Sequence, residues 1–278
     1  MIAHIQKCSK FTKNFFFGKN TTLPEKPWNA IDVVKMVILT GMLLFLASYG
    51  ALEFSKWYFG EMKTGEFIFF HMKELIIGAL LFQVSVEMIL LYCYTHWKYG
   101  VTLVDFGLKD TPVRATLALA AFLFLLIAFG QNYFIEFLQY IPGVLGLEFS
   151  FFGVVGDSGD SISLSQLVED KIIPYWFLFV FAGILAPITE ELIFRGFVLP
   201  SIMKNMGYLW GVVISSAIFA LSHMVFEPVT LLIMFLLGCL LSVLYIRTKS
   251  LWPGIIFHAI NNTAGIFLAV SGIEKLAQ

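Results

Sequence analysis

Glu190, Glu191 and Arg195 fall within Pro187-Ile188-Thr189-Glu190-Glu191-Leu192-Ile193-Phe194-Arg195, inside sequence that is otherwise apolar. A charge at the centre of a bilayer costs about 2.5–3.5 kcal/mol on insertion scales, so each such group needs a partner or a task. Glu191 and Arg195 are four apart in acid-before-base order, which lets them pair on a helix. Glu190 projects about 100° away around that helix and is the less neutralised carboxylate, the candidate general base. Farther on, Phe219-x-x-x-His223 and His258-x-x-x-Asn262 repeat the four-residue spacing, so His258 and Asn262 share one helix face. A carboxylate and two imidazoles converging from three helices can ligate a divalent metal with a position left for water. Alternatively, Glu190 and one histidine activate water directly while the other histidine and Asn262 stabilise an oxyanion. Both routes hydrolyse an acyl bond, and spacing alone leaves both open.

The elements that must position these groups are membrane spans. Of 278 residues, 59% are hydrophobic and 13% charged, against about 25% charged in ordinary soluble domains, and the mean hydropathy is +0.84. Several charge-free runs reach the roughly 20 residues that cross a bilayer. The expected fold is all-α: a polytopic transmembrane helix bundle of about seven spans, with the catalytic site within the C-terminal four helices. The spans are read at 36–52, 75–97, 115–133, 172–194, 208–226, 229–246 and 251–270. A basic tail over 1–30, with Phe15-Phe16-Phe17 and Trp28, is expected on the membrane surface. The N-terminal transmembrane half runs over 31–170, the catalytic domain over 171–270, and a short tail over 271–278. An acidic, Gly- and Ser-rich stretch, 134–171, reads as an extracytoplasmic loop.

Charge placement sets orientation. With the N-terminus in the cytoplasm, Lys56, Lys63, Lys73, Lys171 and Lys275 fall outside and the other basic residues inside. The expected location is the cell membrane, multi-pass. The basic N-terminus lacks an early apolar stretch with a small-residue cleavage site, so the first span is expected to act as the insertion signal. The net charge of −1 and the lack of a basic stripe argue against nucleic acid as a partner. Cys8, Cys93 and Cys239 have neither disulfide-framework nor metal-site spacing.

Taken together, Glu190-Glu191-x-x-x-Arg195, Phe219-x-x-x-His223 and His258-x-x-x-Asn262 resemble the three-motif signature of the CPBP intramembrane proteases. That family includes the type II CAAX prenyl endopeptidases and the Abi bacteriocin-immunity proteins. Ser250-Leu251-Trp252-Pro253 and Phe106-Gly107-Leu108 look similar as flanking text, and the resemblance covers about 171–270. It implies that Glu190 activates water, that His223 and His258 are catalytic or metal-binding partners, and that Asn262 donates to an oxyanion. Glu191 and Arg195 would support the architecture. A divalent metal, possibly zinc, on Glu190, His223 and His258 is implied by the family's metalloprotease members and not by its glutamate-type ones. The implied substrates are membrane-associated peptides or proteins, in CAAX-like maturation or bacteriocin self-immunity.

Competing readings are a proton-coupled transporter relaying through Glu87, Glu190 and the histidines, and a non-catalytic immunity or binding membrane protein. Gln83 lies four residues before Glu87 and can hydrogen-bond it, which favours a structural role for Glu87 inside the bundle. His71 and His96 sit at span edges. Trp28, Trp97, Trp210 and Trp252 suit an aromatic belt. One tension concerns depth: at about 1.5 Å per residue, Glu190 and His258 lie nearer the cytoplasmic ends of their spans than His223 does. A tilted fifth span or a break at Pro187 would close that gap.

Overall fold

The computed structural model describes residues 23–60, 72–109, 111–140, 173–223 and 228–271. Most of the basic tail, His71, most of the acidic loop and the final tail lie outside the described residues. The regular structure described is helical throughout: α1 (Ala30–Phe59), α2 (Met72–Tyr99), a 3₁₀ turn (Leu103–Phe106) and α3 (Val113–Tyr140), then α4 (Tyr175–Val180), α5 (Ala186–Glu190), α6 (Leu199–Ser222), α7 (Pro228–Thr248) and α8 (Trp252–Ser271). Among the described residues, four helical runs are long and apolar enough to cross a membrane: Ala30–Tyr58, Lys73–Tyr99, Tyr175–Ser222 and Thr230–Thr248.

Helix α1, Ala30–Phe59, runs past the expected 36–52 at both ends, and the ends of the third and fourth spans differ from the sequence reading as well. Helix α3 continues through 134–140, which the sequence assigned to the loop, because the first helix breaker in that stretch is Pro142. The fourth apolar run also continues past Phe194, through α6, and is broken only at Gly207, with φ 78° and ψ −176°. That φ belongs to glycine, and it turns one long run into two helical arms without a loop.

The long run survives two prolines by widening its turns. Segments Phe181–Leu185 and Glu191–Val198 are π-helical and precede Pro187 and Pro200. Proline lacks an N–H and crowds the carbonyl four residues back; those carbonyls belong to Gly183 and Gly196, one in each π segment. Wider turns free carbonyls that other elements then use. The amide nitrogen of Asn262 donates to Ala182 O at 2.9 Å. Trp28 Nε1 and Ser201 Oγ donate to Phe197 O at 3.2 and 2.6 Å.

Trp28 is therefore not a belt residue. It is fully buried, stacked on Phe106 at 5.0 Å and set against Phe197 at 5.6 Å. An indole with a hydrogen-bond partner gains more from this apolar core than from the interface. Trp97, Trp210 and Trp252 remain outward-facing. The turn carrying Phe106 is itself anchored on the C-terminal helices: Tyr245 Oη donates to Phe106 O, and Leu251 N to Gly107 O, both at 2.9 Å. Asp105 caps this turn by accepting from Thr102, which holds its carboxyl below the usual range. Lys26 donates to the Asp105 carbonyl, and burial lowers its pKa to about 8. In the first turn of α1, Asp32 accepts from Tyr94 (2.5 Å), Tyr99 (2.7 Å) and Lys98, so one buried carboxylate ties the start of α1 to the end of α2.

Candidate active site

Glu190 closes α5 and Glu191 opens the second π segment, so adjacent residues face different neighbours. Glu191 is fully buried and pairs with Arg195, Oε1 to Nη1, at 3.1 Å. The guanidinium donates from Nη2 to Gly238 O at 3.2 Å and lies over the Phe219 ring at 4.3 Å. Removing such a charge from water costs several kcal/mol unless a close partner and further hydrogen bonds compensate; here the partner is an anion, assisted by a carbonyl and an aromatic face. Small residues make the approach possible. A Cβ at Gly254 would sit 2.8 Å from Glu191 Oε2, and one at Gly238 would sit 2.9 Å from Ser216.

Glu191 has a second contact that residue spacing cannot anticipate, since its partner is 67 residues away. His258 Nδ1 lies 3.3 Å from Glu191 Oε1. A carboxylate accepts, so the ring carries its proton on Nδ1 and turns Nε2 toward Glu190. His223 is oriented in the same sense by a different device. Its Nδ1 lies 2.8 Å from Phe219 O, one helical turn earlier, and a carbonyl can only accept. Both imidazoles thus present Nε2 to one atom, Glu190 Oε2, at 3.7 Å from His258 and 3.9 Å from His223. That oxygen is buried and has no hydrogen-bond partner. An acceptor left unpaired in a low-dielectric interior costs about 1–3 kcal/mol, and such an atom between two ring nitrogens suits a site made to take a proton.

The depth problem disappears in three dimensions. His223 ends α6 beside Glu190, because the kink at Gly207 re-aims the arm that carries it. The chain does not break at Pro187; the π segment before it absorbs the proline. Asn262 lies on the same helix as His258, but one of its two N–H groups is committed to Ala182 O.

The donor types of Glu190, His223 and His258 are those of a zinc site. Tetrahedral zinc, with ligands at about 2.0–2.2 Å, holds neighbouring donor atoms about 3.3–3.5 Å apart. The separations of 3.7 and 3.9 Å are wider. Among the described residues no group of three His, Cys, Asp or Glu stands close enough to hold a metal ion. To hold such an ion the three side chains would have to close by a few tenths of an ångström.

A cavity of about 760 Å³ opens beside this site, walled by α1, α2, the long run and α6. Glu190 and His223 line it, and so do Gln83 and Glu87. Gln83 Nε2 donates to Glu87 Oε1 at 3.1 Å, as spacing suggested, but the pair faces this cavity rather than a packed core. Glu87 is thereby a candidate functional residue that the sequence reading assigned to structure. Its signal was present: an ionisable group inside an apolar span.

Residues 172–264 match the family described as Rce1-like, the type II CAAX prenyl endopeptidases. That stretch contains all seven motif residues from Glu190 to Asn262. The chain is also 27% identical over 134 residues to a Bacillus subtilis (strain 168) protein described as "Putative membrane peptidase YdiL". The match covers 48% of this chain and spans about half, 52%, of that relative. No solved structure matches the chain at a significant level. Both similarities are to membrane peptidases, and the C-terminal helices that hold Glu190, His223 and His258 carry the likeness to the Rce1-like family.

Proposed function

We propose that this protein is an intramembrane endopeptidase that hydrolyses peptide bonds of membrane-associated substrates with water activated by Glu190. The observation that carries the reading is the buried, unpartnered Glu190 Oε2 between the Nε2 atoms of His258 and His223. In the proposed reaction Glu190 accepts a proton from water as the water oxygen bonds to the scissile carbonyl carbon. The carbonyl oxygen becomes an oxyanion. When the C–N bond breaks, the same proton passes from Glu190 to the departing amine. His258, with its Nδ1 proton on Glu191, carries a second proton on Nε2 in this step and donates it as a hydrogen bond to the oxyanion. The second N–H of Asn262 is the other donor. His223, with its Nδ1 proton on Phe219 O, accepts a hydrogen bond from the attacking water at Nε2.

The same three side chains are the donors a divalent metal would use. A metal-assisted version requires them to close by a few tenths of an ångström. Metal content measured beside activity, with and without a chelator, separates the two routes: full activity in metal-free protein leaves the direct one. An activity of this kind would serve CAAX-like maturation or bacteriocin self-immunity at the cell membrane, with the N-terminus cytoplasmic. The deciding experiment presents purified protein in liposomes with a library of membrane-tethered peptides and compares wild type with Glu190→Gln. Wild-type cleavage reduced at least a hundredfold in the variant is the expected result, and equal rates would reject the role of Glu190.

A further inference from the structure

The cavity beside Glu190 has an uneven charge balance. Two carboxylates line it, Glu87 from α2 and Glu190 from α5, and none of the described lining residues is lysine or arginine. Arg195 is committed to Glu191, and Lys98 to Asp32 at the end of α2. Apart from a few polar groups such as Thr40, Gln83 and Ser222, the remaining wall is aliphatic or aromatic. Helix α2 contributes wall residues from Leu80 to Leu91, a length of about 16 Å at 1.5 Å per residue. An extended peptide covers that distance in about five residues. Gln83 supplies one donor to Glu87, but a neutral amide brings no charge, and a carboxylate in apolar surroundings is held ionised only beside a cation.

From this we infer that Glu87 is a specificity-determining residue: the cavity takes an extended, apolar peptide segment bearing one basic side chain, and Glu87 receives that cation. The occupant matches the walls in both respects, with apolar side chains against α1 and the long run and a cation where the described lining has no lysine or arginine. Helix α2 is outside the stretch that matches the peptidase family, so this selection is added to the catalytic helices by a separate part of the chain. Its cleavage consequence rests on the peptidase reading above; its binding consequence does not.

The test uses full-length protein in detergent micelles and fluorophore-labelled apolar peptides of about twenty residues, the length of a span. A single lysine is moved through the central positions, with norleucine as its neutral counterpart. Wild type is expected to bind the lysine peptide at least tenfold more tightly at one position. Glu87→Gln brings the ratio within twofold, Glu87→Asp retains a reduced preference, and Glu87→Lys shifts it toward a glutamate-bearing peptide. The aspartate variant separates loss of charge from loss of fold, and thermal melting of each variant is read alongside. A wild-type ratio below twofold at every position, or a ratio that survives in Glu87→Gln, overturns the inference. Cleavage of the same peptides is measured in parallel. A binding preference without any cleavage rejects the peptidase reading and leaves Glu87 in its role, whereas cleavage without preference does the reverse.

Discussion

In the helices from α4 onward, charged and polar side chains are turned inward and paired: Glu191, Arg195, His258 and Ser201 are all nearly or fully buried. In α1 and α2 the large apolar side chains are turned outward, with Phe45 69% and Ile89 61% exposed in the absence of lipid. Within a bilayer such outward faces meet hydrocarbon, and inward polar groups must satisfy one another. The first region is a close-packed polar machine whose geometry tolerates little change. The second is an apolar wall attached at a few anchors, Trp28 and Asp32 chief among them, and it contributes one carboxylate to the cavity. The lesson is a division of labour: the groups proposed to break the bond are held by dense packing, and the surface proposed to receive the substrate is shared with a region under looser constraint.

Arg195→Met tests the dense region hardest. It leaves Glu191 buried without its cation, which should cost about 3–5 kcal/mol of stability and release His258, seen as a large drop in thermal midpoint and loss of activity together. Glu190→Gln should separate these effects. Its side chain is partly accessible to the cavity, so the expected outcome is at least a hundredfold loss of peptide cleavage with the melting temperature nearly unchanged; a comparable fall in both would make Glu190 structural. Gly254→Ala places a methyl group 2.8 Å from Glu191 Oε2. A cost of about 1–3 kcal/mol is expected from overpacking, with activity reduced about tenfold as Glu191 is pushed from His258. On the other side, Phe45→Leu on the outward face of α1 should change stability by less than about 0.5 kcal/mol and leave cleavage at the wild-type rate. A large effect there would mean that α1 makes a partner contact absent from the single chain.

Much of the site could be read in sequence because it repeats a local rule. Glu191 and Arg195 pair across four residues, and helix geometry makes that inference sound even inside a π segment. Apolar runs long enough to span a bilayer likewise identified a helical membrane protein. Helix ends were harder: Phe134 to Tyr140 are helical because nothing there breaks a helix, and Arg195 to Met206 because the π segment absorbs Pro200, although loss of apolarity suggests the end of each span. Trp28 was misplaced because an indole suits both interface and core, and only Phe106 and the free carbonyl of Phe197, 169 residues away, decide between them.

From the residue types and their spacing alone came an all-helical membrane chain, its costly polar residues, and the pairing of Glu191 with Arg195. These are matters of composition and of contacts within one or two helical turns, which the local backbone determines. Tertiary structure decided the rest. It set the orientation of both imidazoles toward Glu190, tied His258 to Glu191, spent one Asn262 N–H on a π-segment carbonyl, and opened the cavity that brings Glu87 to the site. Each depends on how closely two helices approach, and small residues such as Gly254 and Gly238 set that distance only once their neighbours are known.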